Sequence, residues 1–314
     1  MSFLSDAIRL IRSLTRAPGL CAVAVATLAI AIGGAGGLFS LLDAVVLRSL
    51  PVPEPSRLIA AFPANGEALF GITMPTLAAF RDSQQMLSGV CGVAQGGAIT
   101  VEVRGAHVQR TVESFTGECA AILGIEAAAG RLISAADAPL AGAGTPVVVL
   151  GYRFWRETFN GDVGAVGQAL RIEGRPLTIV GVLPEQYRGL NADEEPDVLL
   201  PLETMWQLRG GRPLATQIVG RLRDGITIDV ARAQLRGTWA TSWTATNPAG
   251  LPPAAMRAGL PENFRVETLE HGFSTLRGRF TRPLQVAISL ATLLALLAAI
   301  NVGALLLARA VAHE

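Results

Sequence analysis

Residue types that perform catalysis are scarce in this sequence and do not stand at useful spacings. The three histidines, His107, His271 and His313, are far apart, and no two have the spacing that places zinc ligands on one helix. A GxSxG nucleophile elbow is absent, and no nucleophile, base and orienting residue form a recognisable set. The sequence therefore predicts no catalytic residue, no metal site and no cofactor.

The acidic run NADEEPD (191–197) is the best candidate for a cation site. It contains four carboxylates, Asp193, Glu194, Glu195 and Asp197. The run lacks the ligand spacing and the central glycine of an EF-hand loop. A solvated acidic turn is therefore the favoured interpretation, with a cation loop as the alternative.

Nucleotide and nucleic-acid sites are also disfavoured. The segment GGAGG (33–37) is not a GxGxxG fingerprint, and it lies in an apolar run instead of following a strand. All 26 basic residues are arginine, so the lysine of a Walker A loop is missing. The net charge of +1 gives no overall field that would attract nucleic acid.

The cysteines offer one candidate covalent link. Cys21 lies in the first apolar run, whereas Cys91 and Cys119 lie between the two apolar runs. A domain outside the cytoplasm would allow Cys91 and Cys119 to pair, but nothing in the sequence shows that they are close. We keep them as a candidate disulfide.

The elements that frame these residues are two long apolar runs. The first, Leu20 to Val46, would form about 40 Å of helix, more than the ~30 Å hydrocarbon core of a bilayer. We expect a membrane-spanning helix, extended until Pro51, in which Gly33 and Gly37 form a close-packing GxxxG pair. The alternative is a signal peptide cleaved near Ala31.

The second run, Pro283 to Ala308, predicts another span that begins at the proline. Ala291 and Ala295 begin a four-residue repeat of small side chains that is typical of a helix-packing face. Polar residues within the run favour a helical bundle, although such residues are also tolerated in single helices; they are Gln285, Ser289, Thr292 and Asn301.

The two spans divide the chain into segments. Arginines in the short amino-terminal tail favour a cytoplasmic N-terminus, which places the large loop outside the cytoplasm. The expected order is an interfacial amphipathic helix, a first span with its extension, a periplasmic domain, a second span and a cytoplasmic end: 1–18, 19–50, 51–282, 283–308 and 309–314. The location is then the bacterial inner membrane.

The loop has the pattern of a mixed α/β domain. Helical spacing predicts helices over 73–87, 152–159 and from 227 through Trp239 and Trp243, the last capped by Thr227 or Asp229. Alternating or short apolar segments predict strands over 98–105, 107–115, 145–151, 169–184, 197–202, 217–222 and 263–269. The segment 169–184 is expected to form a hairpin that turns at Glu173-Gly174.

Several ordered segments together resemble the permease subunits of MacB/FtsX-type ABC transporters. They are RAPGLCAVAVATLAIAIGGAGGLFSLLDAVVLRSLPVPEPSRL (16–58), AAILGIEAAAGR (120–131), PVVVLGYRFWRETFNGDVGAVGQALRIEGRPLTIVGVLP (146–184), GRLRDGIT (220–227) and LATLLALLAAINVGALLLARA (290–310). The resemblance implies a two-lobed periplasmic core, and we place its inserted lobe at about 114–215. It also implies an uncleaved first helix.

The resemblance further implies function and partners. Such permeases relay the movement that a separate or fused ATPase drives to a periplasmic domain, for export or efflux. The expected partners are an ABC ATPase subunit, a second copy of the chain, a periplasmic adaptor protein and membrane lipid, with no nucleic acid.

The chain departs from the family pattern at two places. The family commonly has a polar pair in the first helix, where this chain has Ala35-Gly36-Gly37. Family permeases continue past the second span, whereas this sequence stops at Glu314, as a fragment, a truncated product or a split subunit would. Two alternatives to transport remain: an FtsX-like regulator of a periplasmic enzyme, and a membrane-anchored sensor or enzyme.

Overall fold

The computed structural model describes residues 26, 29–30, 32–34, 36–37, 39–40, 48–65, 68–69, 71–140, 144–212, 214–247 and 253–311. The chain divides into two compact units. One is Ser49–Ser274, and the other combines Met1–Arg48 with Thr275–Glu314.

A large mixed β-sheet forms the framework of the Ser49–Ser274 unit. Among the described residues the sheet has 11 strands, in the order β13-β1-β12-β4-β5-β10-β7-β9-β6, with β2 beside β1 and β8 beside β4 and β9. Strands β3 and β11 form a separate pair. The strands are β1 Leu58–Asn65, β2 Ala68–Leu69, β3 Ile72–Thr73, β4 Leu87–Val103, β5 Ala106–Phe115, β6 Ala129–Gly130, β7 Val147–Leu150, β8 Ala169–Ile172, β9 Arg175–Val182, β10 Val198–Pro201, β11 Leu214–Ala215, β12 Gln217–Leu222 and β13 Phe264–Thr268.

Pairing is antiparallel from β13 to β5, and it becomes mixed beyond β5. Strand β10 runs parallel to β5, and β7 runs parallel to β9. The strands β6, β7, β9 and β10, which all come from the predicted insertion 114–215, lie together at one end of the sheet. The boundaries of that insertion stay a prediction.

The described α-helices are α1 Met74–Ser83, α2 Cys119–Leu123, α3 Tyr152–Phe159, α4 Leu202–Leu208, α5 Ile228–Thr246, α6 Pro253–Ala258 and α7 Thr275–Val311. Short 3-10 turns occupy Pro55–Arg57, Val163–Ala165 and Pro261–Asn263. Helix α1 begins at a capping residue, because the Thr73 side chain accepts a hydrogen bond from the Thr76 amide.

Both faces of the sheet are buried in the Ser49–Ser274 unit. Neighbouring residues of β1 point to opposite faces, so Ile59 joins one apolar cluster and Leu58 joins the other. The first cluster contains an aromatic centre in which Trp239 stacks on Phe264 with ring centroids 4.5 Å apart. The second cluster contains Tyr187 and the two cysteines of the domain.

Most predicted elements of the loop are confirmed, because their periodic patterns are local. The predicted helix 152–159 matches α3, and the predicted hairpin 169–184 matches β8 and β9 with positive φ angles at Glu173 and Gly174. Thr227 is the residue that caps α5, but its side chain makes no capping hydrogen bond. Strand β1 was not predicted, since its sequence LIAAFPAN neither alternates nor avoids proline.

The second predicted span lies within α7. A window from Arg282 to Ile300 has a mean hydropathy of 2.1 and is long and apolar enough to cross a bilayer. The expectation that Pro283 begins the helix is wrong, because α7 starts at Thr275 and contains the proline. A proline there removes one intrahelical donor, and a 37-residue helix retains the others.

Two of the four polar residues of this span bond within their own helix. The hydroxyl of Ser289 donates to the Gln285 carbonyl at 2.8 Å, and that of Thr292 donates to the Ile288 carbonyl at 2.8 Å. Both hydroxyl donors are thus satisfied within α7, and the helical bundle stays a prediction.

The first predicted span falls mostly outside the described residues, as does the interfacial helix 1–18. The described residues between 26 and 40 are all helical, whereas 48–50 are not. The predicted extension of the first helix to Pro51 is therefore wrong at its last three residues.

Candidate functional site

The two ends of the Ser49–Ser274 unit meet each other. The amide of Leu50 donates to the carbonyl of Glu270 at 2.7 Å, and the amide of Leu269 donates to the carbonyl of Leu58 at 2.9 Å. Leu50 and Leu269 are both buried in the second apolar cluster. The chain therefore enters and leaves this unit at one place.

A loop from the middle of the chain closes over this junction. The Phe273 amide donates to the Leu190 carbonyl at 2.7 Å, and the Ala192 amide donates to the Phe273 carbonyl at 2.8 Å. The Ser274 hydroxyl adds a bond of 2.6 Å to Oδ1 of Asp193. We call the three segments 49–52, 187–193 and 269–274 the clasp.

A buried carboxyl group supports the clasp from below. Glu113, on β5, is only 4% exposed, and its Oε1 accepts from the Leu190 amide at 2.8 Å. Its Oε2 accepts from the Tyr187 hydroxyl at 3.0 Å. Burial, the largest influence, raises the pKa of Glu113 to about 7, although the two hydrogen bonds act in the opposite direction.

Glycines allow the segments of the clasp to come this close. Gly272 has a φ of +71°, and a Cβ there would lie 2.7 Å from the Leu190 carbonyl oxygen. Gly189 has a φ of +88°, and a Cβ there would lie 2.7 Å from a carbon of Pro196. A side chain at Gly272 would push apart two segments of the clasp, and one at Gly189 would press on the Pro196 ring.

The acidic run 191–197 is solvated only in part, since Glu194 is exposed whereas Asp197 is buried. Asp193 bonds Ser274, and Glu195 pairs with Arg188 at 3.2 Å. Asp197 is buried, and its Oδ2 accepts from the Thr111 amide at 3.2 Å. Among the described residues no three His, Cys, Asp or Glu side chains are grouped to hold a metal ion. The run is structural, which its composition alone did not indicate.

A groove of about 890 Å³ lies elsewhere on the same unit. Its lining includes the apolar side chains of Val90 and Ile122 and the charged side chains of Arg81, Glu118 and Arg223. Arg81 and Glu118 approach each other to 3.5 Å. The volume is within the range of small-molecule sites. The lining carries both positive and negative side chains, so its charge favours no class of ligand.

The structure brings the candidate disulfide residues together. Cys91 on β4 and Cys119 at the start of α2 are bonded, with their Cα atoms 5.3 Å apart, and both are buried. Formation of this bond in the cell stays a prediction. The predicted packing residues lie in two parts of the chain: Gly33 and Gly37 in helical segments near the N-terminus, and Ala291 and Ala295 in α7. Their role in packing also stays a prediction.

The sequence reasoning missed Glu113, Tyr187 and Ser274. A single glutamate in an otherwise alternating strand gives little signal, and its partners are 74 and 77 residues away along the chain. In the alternation of β5, Glu113 shares a face with the polar residues His107, Gln109 and Thr111, so the pattern gave no signal that it is buried.

Comparison with known proteins identifies the family. The sequence profile of the MacB-like periplasmic core domain matches residues 21–238. The chain belongs to this family. The macrolide export ATP-binding/permease protein MacB of Rhodospirillum rubrum is 29% identical over 154 residues, which are 48% of this chain and 23% of that protein. The chain thus aligns with less than a quarter of this curated relative.

A solved structure shows the same fold. The periplasmic region of MacB from Actinobacillus actinomycetemcomitans matches with a TM-score of 0.53 and 13% identity, over 78% of this chain and 98% of that one. The extracellular domain of the ABC-type transporter YknZ from Gram-positive bacteria gives a TM-score of 0.48 with 13% identity, over 67% and 98%. The predicted α/β fold and the MacB/FtsX-type resemblance are confirmed. A MacB-like periplasmic domain also implies a membrane-anchored protein.

Proposed function

We propose that this chain is the permease part of a MacB/FtsX-type ABC transporter and that the clasp transmits helix movement to the periplasmic domain. The observation that carries the proposal is the meeting of both domain ends in one hydrogen-bonded junction. In the sequence, α7 begins at Thr275, directly after the clasp residue Ser274. Family membership supplies the transporter context.

The clasp is suited to transmit force because its three segments share their bonds. Displacement of 269–274 would have to break backbone hydrogen bonds to both Leu50 and Leu190. Several short bonds that must break together resist a pull more strongly than any one of them. A displacement of either chain end is therefore passed to the sheet, through β1 and through Glu113 on β5.

The proposed assembly includes partners that the chain does not itself contain. ATP hydrolysis is assigned to an ABC ATPase subunit, since this sequence has no lysine for a Walker A loop. A homodimer, a cytoplasmic N-terminus, two membrane spans and contacts with lipid and a periplasmic adaptor complete the proposal. The role is export or efflux, and an FtsX-like regulator shares the same architecture.

The test measures nucleotide-dependent movement in the full chain. The protein is purified from native membranes with its associated ATPase, after Cys21→Ser, with a spin label at the exposed Thr241→Cys position on α5. We expect the label-to-label distance in the assembly to change between ADP and a non-hydrolysable ATP analogue. The double variant Asp193→Ala/Ser274→Ala should reduce this change while ATP hydrolysis continues.

Two results would argue against the proposal. One is a chain that copurifies with no ATPase, and the other is a distance that nucleotide does not alter in the parent. Thr238→Ala on α5, which removes an exposed hydroxyl far from the clasp in sequence, serves as the control variant. Copurification with a cell-wall hydrolase, without any efflux phenotype, would select the FtsX-like regulator.

A further inference from the structure

The strand β13 forms one end of the sheet, and no described strand pairs with its outer edge. Its inner edge pairs with β1, with Arg265 opposite Phe62 and Glu267 opposite Ala60. Because hydrogen-bonding groups alternate in direction along a strand, residues 264, 266 and 268 present theirs outward. An open strand edge is a template for pairing with another chain.

Two arginines of α5 cover this edge. Nε of Arg232 donates to the Val266 carbonyl at 3.1 Å, and Nε of Arg236 donates to the Phe264 carbonyl at 3.2 Å. The arginines stand four residues apart on one face of α5, and the two carbonyls stand two residues apart on β13. Because the two arginines are spaced like the two carbonyls, one helix can cap two successive outward carbonyls of β13.

The covered edge is complementary to itself. Antiparallel pairing centred on Val266 would place Arg265 opposite Glu267 of the partner subunit, so that opposite charges face each other on both sides of the centre. Val266 would exchange two hydrogen bonds with Val266 of the partner subunit. The Thr268 amide would donate to the freed carbonyl of Phe264 of the partner subunit.

We propose that the outer edge of β13 is a masked pairing surface for a second copy of this chain, held closed by Arg232 and Arg236. The surface is independent of the transport role proposed above. While the guanidinium groups occupy the carbonyls of 264 and 266, two of the three outward carbonyls of β13 are engaged, so an incoming strand cannot form the central bonds of the ladder. Loss of both side chains frees the acceptors and leaves the Arg265–Glu267 complementarity intact.

The test compares molar masses of the full chain in detergent by light scattering, over a range of protein concentrations. We expect Arg232→Ala/Arg236→Ala to reach about twice the mass of the parent protein. The control Arg156→Ala/Arg175→Ala removes the same charge from two exposed arginines outside α5 and should keep the parent's mass.

Two further substitutions distinguish edge pairing from misfolding. Thr268→Pro removes an outward amide without removing a bond to β1, and Glu267→Arg replaces the opposite-charge pair by a like-charge pair. Either change, added to the double arginine variant, should restore the parent's mass. A double variant that keeps the parent's mass, or an association that neither added change reverses, would overturn the proposal.

Discussion

Glu113 shows how one buried residue couples the clasp to pH. The folded protein holds its carboxyl proton up to about pH 7, whereas an exposed glutamate loses its proton near pH 4.5. The unfolded state therefore binds fewer protons between these values, and the free energy of unfolding falls as the pH rises through that window. A difference of this size in pKa corresponds to ~3 kcal/mol.

Replacing Glu113 by glutamine should remove this dependence. We expect the parent to become less stable from about pH 4.5 to pH 7, and Glu113→Gln to lose much of that slope, since glutamine carries no titrating proton. All four tryptophans lie within Ser49–Ser274, so tryptophan fluorescence during thermal unfolding reports on this unit. Glu126→Gln is the control, because Glu126 is an exposed residue that lines the groove. Equal slopes for parent and Glu113→Gln would contradict the assignment.

The cysteine pair makes a second prediction at this scale. If the domain faces the periplasm, Cys91 and Cys119 should resist alkylation until a reductant is added, whereas Cys21 is not part of the pair. Removing a cross-link that spans 28 residues should cost ~3–4 kcal/mol, because the unfolded chain gains freedom. Cys91→Ala/Cys119→Ala, measured by denaturant unfolding against Cys21→Ala, tests the cost. Alkylation of both thiols without reductant would refute the pairing.

At the scale of elements, the clasp depends on close backbone approach more than on any one side chain. Gly272 and Gly225 both have positive φ, at +71° and +75°. Only Gly272 faces an obstacle, since nothing lies within 4 Å of a Cβ at Gly225. Comparing substitutions at Gly225 and Gly272 therefore separates two contributions to the free energy of unfolding: the strain of a left-handed backbone and the loss of a close contact.

We expect Gly225→Ala to cost ~1 kcal/mol, from its left-handed conformation alone. Gly272→Ala should cost a further ~1–3 kcal/mol, because its Cβ would press against the Leu190 carbonyl. Thermal unfolding by tryptophan fluorescence measures both costs. Amide exchange at Phe273 should also increase in Gly272→Ala only. Indistinguishable stabilities for the two variants would show that the clasp tolerates separation.

At the scale of the whole molecule, the predicted helix-packing residues remain to be tested. Leucines at Gly33 and Gly37 would add bulk to one face of the first predicted span, and we expect weaker self-association, by roughly 1–2 kcal/mol. Ala35→Leu is the matched control, because two residues of helix turn it to the opposite face. Self-association in detergent, followed by energy transfer between labelled copies, measures the effect. Unchanged association in Gly33→Leu/Gly37→Leu would remove the packing role.

The sequence alone determined the apolar span within α7, the mixed α/β character of the loop and most of its local elements. Helix periodicity, strand alternation and turn residues such as Glu173-Gly174 are properties of neighbouring residues, so they can be read without a fold. Length and hydropathy likewise identify 283–308 without reference to packing.

Only the tertiary structure decided what the polar residues do. Glu113 is hydrogen-bonded to Leu190, Asp193 to Ser274 and Arg232 to Val266 on β13, and in each case the partners are far apart in the sequence. The order in which the strands pair brings these residues together, and that order cannot be read from local sequence patterns. The structural contacts of the acidic run were missed for this reason, since a carboxylate in solvent and one that bonds a distant residue cannot be told apart until the partner is known.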